Sequence, residues 1–392
     1  MTMIPYGRQD VTQDDIDAVT AALRSDFLTQ GAVTPQFEVA VATYCGAAHA
    51  VAVNSATSAL HIACLALNLK PGDWLWTTPI TFLASANCAR YCGADVDFVD
   101  IDAGTGNMSP VALEAKLREA EEKGCLPKII VPVHLAGQSC DMRAIHALGK
   151  RYGFRIIEDA SHAIGGTYLG TPIGRCEFSD ITVFSFHPVK IITTAEGGLA
   201  TTNDAGLAAR LALFRSHGVT RDPAAMTRES DGGWYYQQIE LGYNYRLTEL
   251  QAALGLSQIE RLNEYVGRRN ELASRYDLLL ADLPLRALER SPDARSAYHL
   301  YVIRLNTASI ARSHSEVFDS LREQGIGVNL HYIPVHTQPY YQQFGAKAGY
   351  SDASFPESLA YYAQAISLPM YATLDEAQQD RVAQAIRRAI AS

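Results

Sequence analysis

Through its first 160 positions the chain alternates between two kinds of segment. Short continuous apolar runs, rich in β-branched and aromatic side chains, read as strands: His49 to Val53, Trp74 to Thr78, Asp95 to Val99, Lys128 to Val133 and Arg155 to Glu158. Helical segments separate them: Ser58 to Leu67, Leu83 to Cys92, a helix opened by Ser109-Pro110 and closed near Gly124, and Met142 to Tyr152. Before the first strand, Met3 to Arg8 forms a short extended arm. Thr12 with Asp15 makes a capping-box-like start to a helix through Arg24, and a polar turn at Thr29, Gln30 and Gly31 leads to another helix, Thr34 to Cys45. Strands that are apolar throughout, alternating with helices, predict an α/β fold whose largely parallel sheet is covered on both faces. From Leu247 to Leu280 the pattern turns helical, and a smaller α+β unit follows to Ser392. The expected division is an N-terminal arm and substrate segment over 1–30, a large unit over 31–262 and a small C-terminal unit over 263–392.

Composition narrows the class without changing the fold. With 48% hydrophobic and 19% charged residues the chain is that of a globular protein with ample core. A net charge of −9 argues against nucleic acid as a partner, since phosphate binding requires a basic surface. No apolar run approaches the length of a membrane span and no secretory signal opens the chain, so no membrane partner and a cytoplasmic location are expected. The seven cysteines include no C-x-x-C pair, which points to free thiols in a reducing compartment. Cys88 and Cys92 sit one helical turn apart, as two metal ligands could, but no second pair stands near them; core thiols and no metal are expected.

The candidate chemistry lies at strand ends, where open α/β sheets bind ligands. Ile181 to Phe186 is another buried-strand run, and Pro188 then holds His187 extended. Lys190 follows among Val189, Ile191 and Ile192. Burial disfavours an ammonium, and a lysine of lowered pKa is the nucleophile that forms Schiff bases with aldehydes, pyridoxal phosphate among them. The alternative is an ordinary strand-end lysine. Asn54 to Ser58, between a strand and a helix, is either a phosphate cradle of backbone N–H groups or simply a helix cap. Asp159, at the end of the Arg155 strand, can pair with a protonated pyridine nitrogen or cap the next helix. His162 can bond near the ring oxygen of the same cofactor or be a core histidine. Ser185, five residues before Lys190, can reach the phosphate. Each feature alone is weak; cradle, carboxylate and lysine in this order are not.

SATSAL, EDASHA and SFHPVKIITTAEGG together resemble the nucleotide-sugar aminotransferases of the DegT type, within the aspartate-aminotransferase-like (fold type I) pyridoxal-phosphate enzymes, over essentially the whole chain. The resemblance implies Lys190 as the covalent anchor and acid–base, Asp159 at the pyridine nitrogen, His162 at the ring hydroxyl and Phe82 stacked over the ring. It implies Ala56, Thr57 and Ser185 at the phosphate, joined by Asn244 of a neighbouring subunit, and hence a homodimer with shared active sites. Tyr6, the turn Asp26, Phe27, Leu28 and Thr29, and the segment Asn329, Leu330, His331 and Tyr332 match regions around the nucleotide sugar, with Ala56, Ser185 and Asn244 also in reach. IPYGRQD, SDFLTQG and FSFHPVK with TTAEGG are most similar to the branch that aminates C4 of a UDP-4-keto-6-deoxy-N-acetylhexosamine, with L-glutamate as donor, in pseudaminic acid synthesis. UDP-4-keto-L-arabinose is the alternative acceptor. Sugar dehydratases of this fold carry histidine where Lys190 stands, and a non-catalytic ligand sensor would need an added DNA-binding unit. Arg215, His217, Arg221 and Arg228 are either counter-charge for the diphosphate or solvated surface.

Overall fold

The structure, a computed structural model, describes residues 3–391. Its strands in order are β1 (His49–Val53), β2 (Trp74–Thr77), β3 (Asp95–Phe98), β4 (Ile129–Val131), β5 (Arg155–Asp159), a short hairpin β6 (Thr167–Tyr168) and β7 (Thr171–Pro172), β8 (Ile181–Ser185) and β9 (Gly198–Thr202). All except the hairpin join one seven-stranded sheet, in the order β1-β9-β8-β5-β4-β2-β3. From β3 through β2, β4 and β5 to β8 every pairing is parallel. β9 runs antiparallel to both β8 and β1.

Sequence pattern did not disclose β9. Only Leu199 and Ala200 in it are plainly apolar, and the rest of the strand is glycine and threonine. The strand is nevertheless buried throughout. Its hydroxyls tolerate burial because each has an acceptor: Thr201 donates to the Gly174 carbonyl at 2.8 Å and Thr202 to the Asp180 carbonyl at 2.8 Å.

Helices cover both faces of the sheet. Val51, Val53, Leu75, Val131 and Val183 point to the side held by α3 (Ala56–Ala66), α4 (Ala84–Tyr91) and α7 (Ala205–Arg215). On the other side, Ala52, Phe184 and Leu199 pack on α2 (Val33–Cys45) and α8 (Glu249–Ile259), and Trp76, Ile130 and Ile156 on α5 (Pro110–Lys123) and α6 (Met142–Tyr152). Neither face meets water, which is why most of the strands read as continuous apolar runs; β3 departs from this, its buried Asp97 being paired with Lys116 of α5. Helix α1 (Gln13–Leu23) is tied to α8 through buried Asp15, which accepts from Ser257, Gln258 and Arg261.

A hairpin of β10 (Val219–Thr220) and β11 (Gln237–Gln238) leaves the surface before α8, and helix α9 (Leu262–Leu279) leads to a second sheet. That sheet joins β12 (Leu285–Ala287), β14 (Tyr301–Leu305) and β15 (Ala365–Leu368) antiparallel, while β13 (Ala294–Arg295) extends the β6–β7 hairpin. Tyr301, Ile303, Leu305, Ile366 and Leu368 form its core with α9 and the helices His314–Glu323 and Glu376–Ala391. The N-terminal arm docks here, with Ile4 N–H donating to the Gly325 carbonyl and Gly327 N–H to the Ile4 carbonyl. A side chain at Gly327 would sit 2.8 Å from the Ile4 carbonyl oxygen, so the arm's approach requires glycine there. Among the described residues no helix is long and apolar enough to cross a membrane, and no cluster of three or more His, Cys, Asp or Glu is placed to hold a metal ion. All seven cysteines are free, Cys64 and Cys88 within the core.

Candidate active site

The C-terminal ends of β1, β5 and β8 open onto one cavity of about 550 Å³, which the arm at Tyr6 and the segment 329–332 close from the other side. At the end of β1, Ser55 caps α3, its hydroxyl accepting from Ser58 N–H at 3.1 Å. Helix geometry leaves the N–H groups of Ala56 and Thr57 without intrahelical partners, so capping by Ser55 and anion binding by the next two residues are compatible. Gly198 of β9 lies directly behind this turn. A Cβ there would stand 2.4 Å from Ala56 N and from the Ser55 carbonyl carbon.

Asp159 ends β5 buried, at 4% exposure. Its Oδ2 accepts from the Ser85 hydroxyl at 2.6 Å and its Oδ1 from Ser161 N–H at 3.1 Å. Ser85 is held in turn by Thr81 at 2.7 Å. No helix follows Asp159; residues 161–165 form turns, so the carboxylate is not a helix cap. It faces Lys190, whose ammonium is lowered to about 8 by burial, partly countered by the Asp159 charge. Among the described residues Lys190 Nζ has no hydrogen-bond partner.

Of the four histidines in the cavity wall, three are buried: His162, His299 and His331. All three are held neutral, by burial first; the Lys190 charge adds to this, and His331 is lowered to about 3. Nδ1 of His162 accepts from Ala136 N–H at 3.3 Å, which assigns the proton of the neutral ring to Nε2. Nε2 lies 3.0 Å from the Tyr332 hydroxyl oxygen, which therefore accepts from it and keeps its own proton free to donate into the cavity. The tyrosine stays protonated because burial, then the Asp159 charge, raises its pKa. The His299 ring packs 4.4 Å from that of His162. His331 Nδ1 is 2.8 Å from the Ser367 hydroxyl, and Asn329 pairs its backbone with Ser367.

Phe82 is 59% exposed with its ring 6.2 Å from Tyr332, so it belongs to the cavity and not to the core. Ser185 ends β8 with its hydroxyl bound only weakly, at 3.5 Å from His187 N–H. Tyr6, Ala56, Thr57, Phe82, Asp159, His162, Ser185, Lys190, Asn329, Leu330, His331 and Tyr332 are thus brought together. Asp26, Phe27, Leu28, Thr29 and Asn244 are not. They are exposed and line no part of this chain's cavity. The turn adjoins the start of α8, Thr29 bridging Thr248 and Glu249 N–H donating to the Leu28 carbonyl, while Asn244, shortly before α8 in the chain, bridges Ser216. Arg215 is taken up by Glu38 and the Ala52 carbonyl, and Arg228 by Tyr235 and Asp231. Sequence reasoning missed His299, which lines the cavity but stands in no motif, and Glu196, which lies inside TTAEGG without a role that its type alone suggests. It also missed Ser85, which stands three residues after Phe82 and supports Asp159 from behind the cavity wall.

Comparison with known proteins accords with this geometry. The profile of the DegT/DnrJ/EryC1/StrS aminotransferase family matches residues 9–387. The chain is 40% identical over 387 residues to the spore coat polysaccharide biosynthesis protein SpsC of Bacillus subtilis, covering 98% of this chain and 96% of that protein. It is 40% identical over 343 residues to the UDP-4-amino-4,6-dideoxy-N-acetyl-β-L-altrosamine transaminase of Campylobacter jejuni, covering 87% and 86%. Helicobacter pylori PseC, an aminotransferase involved in the biosynthesis of pseudaminic acid, superposes over the full length of both chains with a TM-score of 0.89 at 32% identity. Similar solved structures include pyridoxal-phosphate and pyridoxamine-phosphate forms.

Proposed function

We propose that this chain, which belongs to the DegT/DnrJ/EryC1/StrS aminotransferase family, moves the amino group of L-glutamate to C4 of a UDP-4-keto-6-deoxy-N-acetylhexosamine. The product is UDP-4-amino-4,6-dideoxy-N-acetyl-β-L-altrosamine, for pseudaminic acid synthesis. Membership makes it a pyridoxal-phosphate-dependent aminotransferase of nucleotide sugars. The acceptor is the finer step, supported by the 40% identity to a transaminase named for that product. One observation carries the chemistry: a lysine lowered to about 8 faces a buried carboxylate across a cavity whose far wall offers free helix N–H groups.

The residues fit pyridoxal phosphate. Ala56 and Thr57 N–H with the Ser185 hydroxyl would hold its phosphate, Phe82 would cover its ring, and Asp159 would pair with its protonated nitrogen. Bound there, the cofactor supplies an electron sink that makes the donor's Cα–H acidic. Asp159 would hold the ring-nitrogen proton that this requires, and Ser85 with Ser161 N–H fixes the carboxylate. Lys190 would hold the cofactor until the donor displaces it. Its freed amine would then move the proton from glutamate Cα to the cofactor's carbonyl carbon and, in the second half of the cycle, from that carbon to C4 of the sugar. Tyr332, oriented by His162, would offer its O–H to an oxygen of the bound cofactor.

Tyr6, Asn329, Leu330 and His331 would border the sugar. Asp26 to Thr29 and Asn244, exposed and away from their own cavity, fit a homodimer in which each subunit completes the other's site. Free thiols throughout accord with a cytoplasmic enzyme. The test is incubation of the purified holoenzyme with glutamate and a panel of UDP-4-keto sugars, UDP-4-keto-L-arabinose among them, with identification of the amino sugar formed. Preferential amination of the 6-deoxy-N-acetyl substrate is expected. Preference for the arabinose substrate would replace the acceptor and leave the mechanism standing, and no amination of any would sink both.

A further inference from the structure

Away from the catalytic cavity, two arginines face each other without an acid between them. Arg286 of β12 and Arg304 of β14 are direct cross-strand partners in the second sheet. Like charges in that position oppose pairing, unless something of opposite charge sits between them. Arg304 is only 3% exposed. Its Nε donates to Gln364 Oε1 at 3.2 Å, one terminal nitrogen donates to the Ala103 carbonyl, and its guanidinium lies 5.8 Å from the Tyr361 ring centroid. Its other terminal nitrogen has no partner among the described residues, and the Arg286 side chain makes no hydrogen bond or ion pair with any of them. Both line an open cavity of about 460 Å³ with Asn306 and Gln364, and no acidic side chain contributes to its wall. Glu357 acts on Arg304 from beyond ion-pair distance, while burial and the Arg286 charge work against its guanidinium.

We propose that Arg286 and Arg304 form a binding site for a small dianionic oxyanion, a phosphoryl group or a dicarboxylate, where the second sheet meets the loop that follows β3. Guanidinium groups suit such ligands because they present paired donors to two oxygens at once. Asn306 and Gln364 add neutral polar groups at the rim. Because Arg304 also holds the Ala103 carbonyl, an occupant would bear on the contact between this sheet and the large one. The site shares no lining residue with the catalytic cavity.

The experiment uses holoenzyme saturated with pyridoxal phosphate, so that the cofactor's own phosphate site is filled. Inorganic phosphate and, separately, malonate are titrated calorimetrically, against sodium chloride at matched ionic strength. Saturable binding of one anion per chain is expected, and whichever of the two binds more tightly identifies the ligand class. Arg286→Gln should weaken it by about tenfold or more, the loss of a charged hydrogen-bond donor. Arg286→Lys should retain most of it, and both variants should keep wild-type transamination in the absence of added anion. The site is disproved if neither anion binds beyond the chloride response, or if Arg286→Gln binds as wild type does.

Discussion

Lys190 can serve as a nucleophile near neutral pH because its ammonium is poorly solvated where it sits. Its value of about 8 lies below the 10.5 of a solvated lysine, and a depressed base is neutral over a wider range. The sign is simple: below about 8 the amine is protonated and inert, and above it the free amine dominates. Capture of pyridoxal phosphate by cofactor-free enzyme, followed by absorbance, should therefore speed up with rising pH with a midpoint near 8. A midpoint near 10.5 would mean that the cavity leaves the lysine unperturbed. Lys190→Ala should abolish turnover with the fold retained, as judged by circular dichroism. Asp159→Asn tests the other pole of the site. A neutral amide cannot hold the ring nitrogen protonated, so cofactor should still bind while turnover falls by roughly a hundredfold or more. Unchanged kinetics would reduce Asp159 to an acceptor for Ser85 and Ser161.

At the scale of elements, the site depends on how closely β9 approaches the start of α3. Gly198→Ala would drive a methyl group into backbone atoms at 2.4 Å, which cannot rotate away as a side chain could. It should cost about 1–3 kcal/mol of stability by denaturant titration, and cofactor affinity should fall with it, since the displaced turn carries the Ala56 and Thr57 N–H groups. Stability and affinity both at wild-type level would show that the turn does not hold the phosphate. The same strand marks the limit of what the sequence discloses. Strands β1, β2, β4 and β5 were legible as mainly apolar runs, and β3 although Asp95 and Asp97 fill one of its faces, Asp97 paired with Lys116; β9 was not, because its burial is made tolerable by threonine hydroxyls whose acceptors, Gly174 and Asp180, lie far off in sequence. Lys190, Asp159 and the Asn54–Ser58 turn were legible for a related reason, each standing at a strand end where the fold class puts ligands. His299 was not, since its place against His162 is set by the chain's passage between β13 and β14, a feature no local pattern records.

At the scale of the whole molecule, one chain leaves part of the expected chemistry on its outer surface. Asn244 is exposed and lines no part of its own cavity, and the turn from Asp26 to Thr29 adjoins the same stretch through the Thr29–Thr248 bridge. The turn itself and the segment leading to Asn244 carry large apolar side chains that a monomer gains nothing by exposing: Phe27 is 62% exposed, Leu28 49%, Trp234 75% and Leu241 71%. A two-fold interface would cover such a surface and carry Asn244 to the partner's phosphate site. Mixing two inactive variants tests this. Lys190→Ala lacks the anchor, and Asn244→Asp sets a carboxylate where the phosphate should bind, so each alone should be nearly inactive. In a mixed dimer with sites shared across the interface, one site carries both defects and the other carries neither. Random exchange makes half of the dimers mixed, each with one sound site of two, so about a quarter of wild-type activity should return. Native mass spectrometry on chains of different tag mass verifies the exchange. If mixed dimers form and no activity returns, Asn244 does not serve the neighbouring site, and the shared-site arrangement falls.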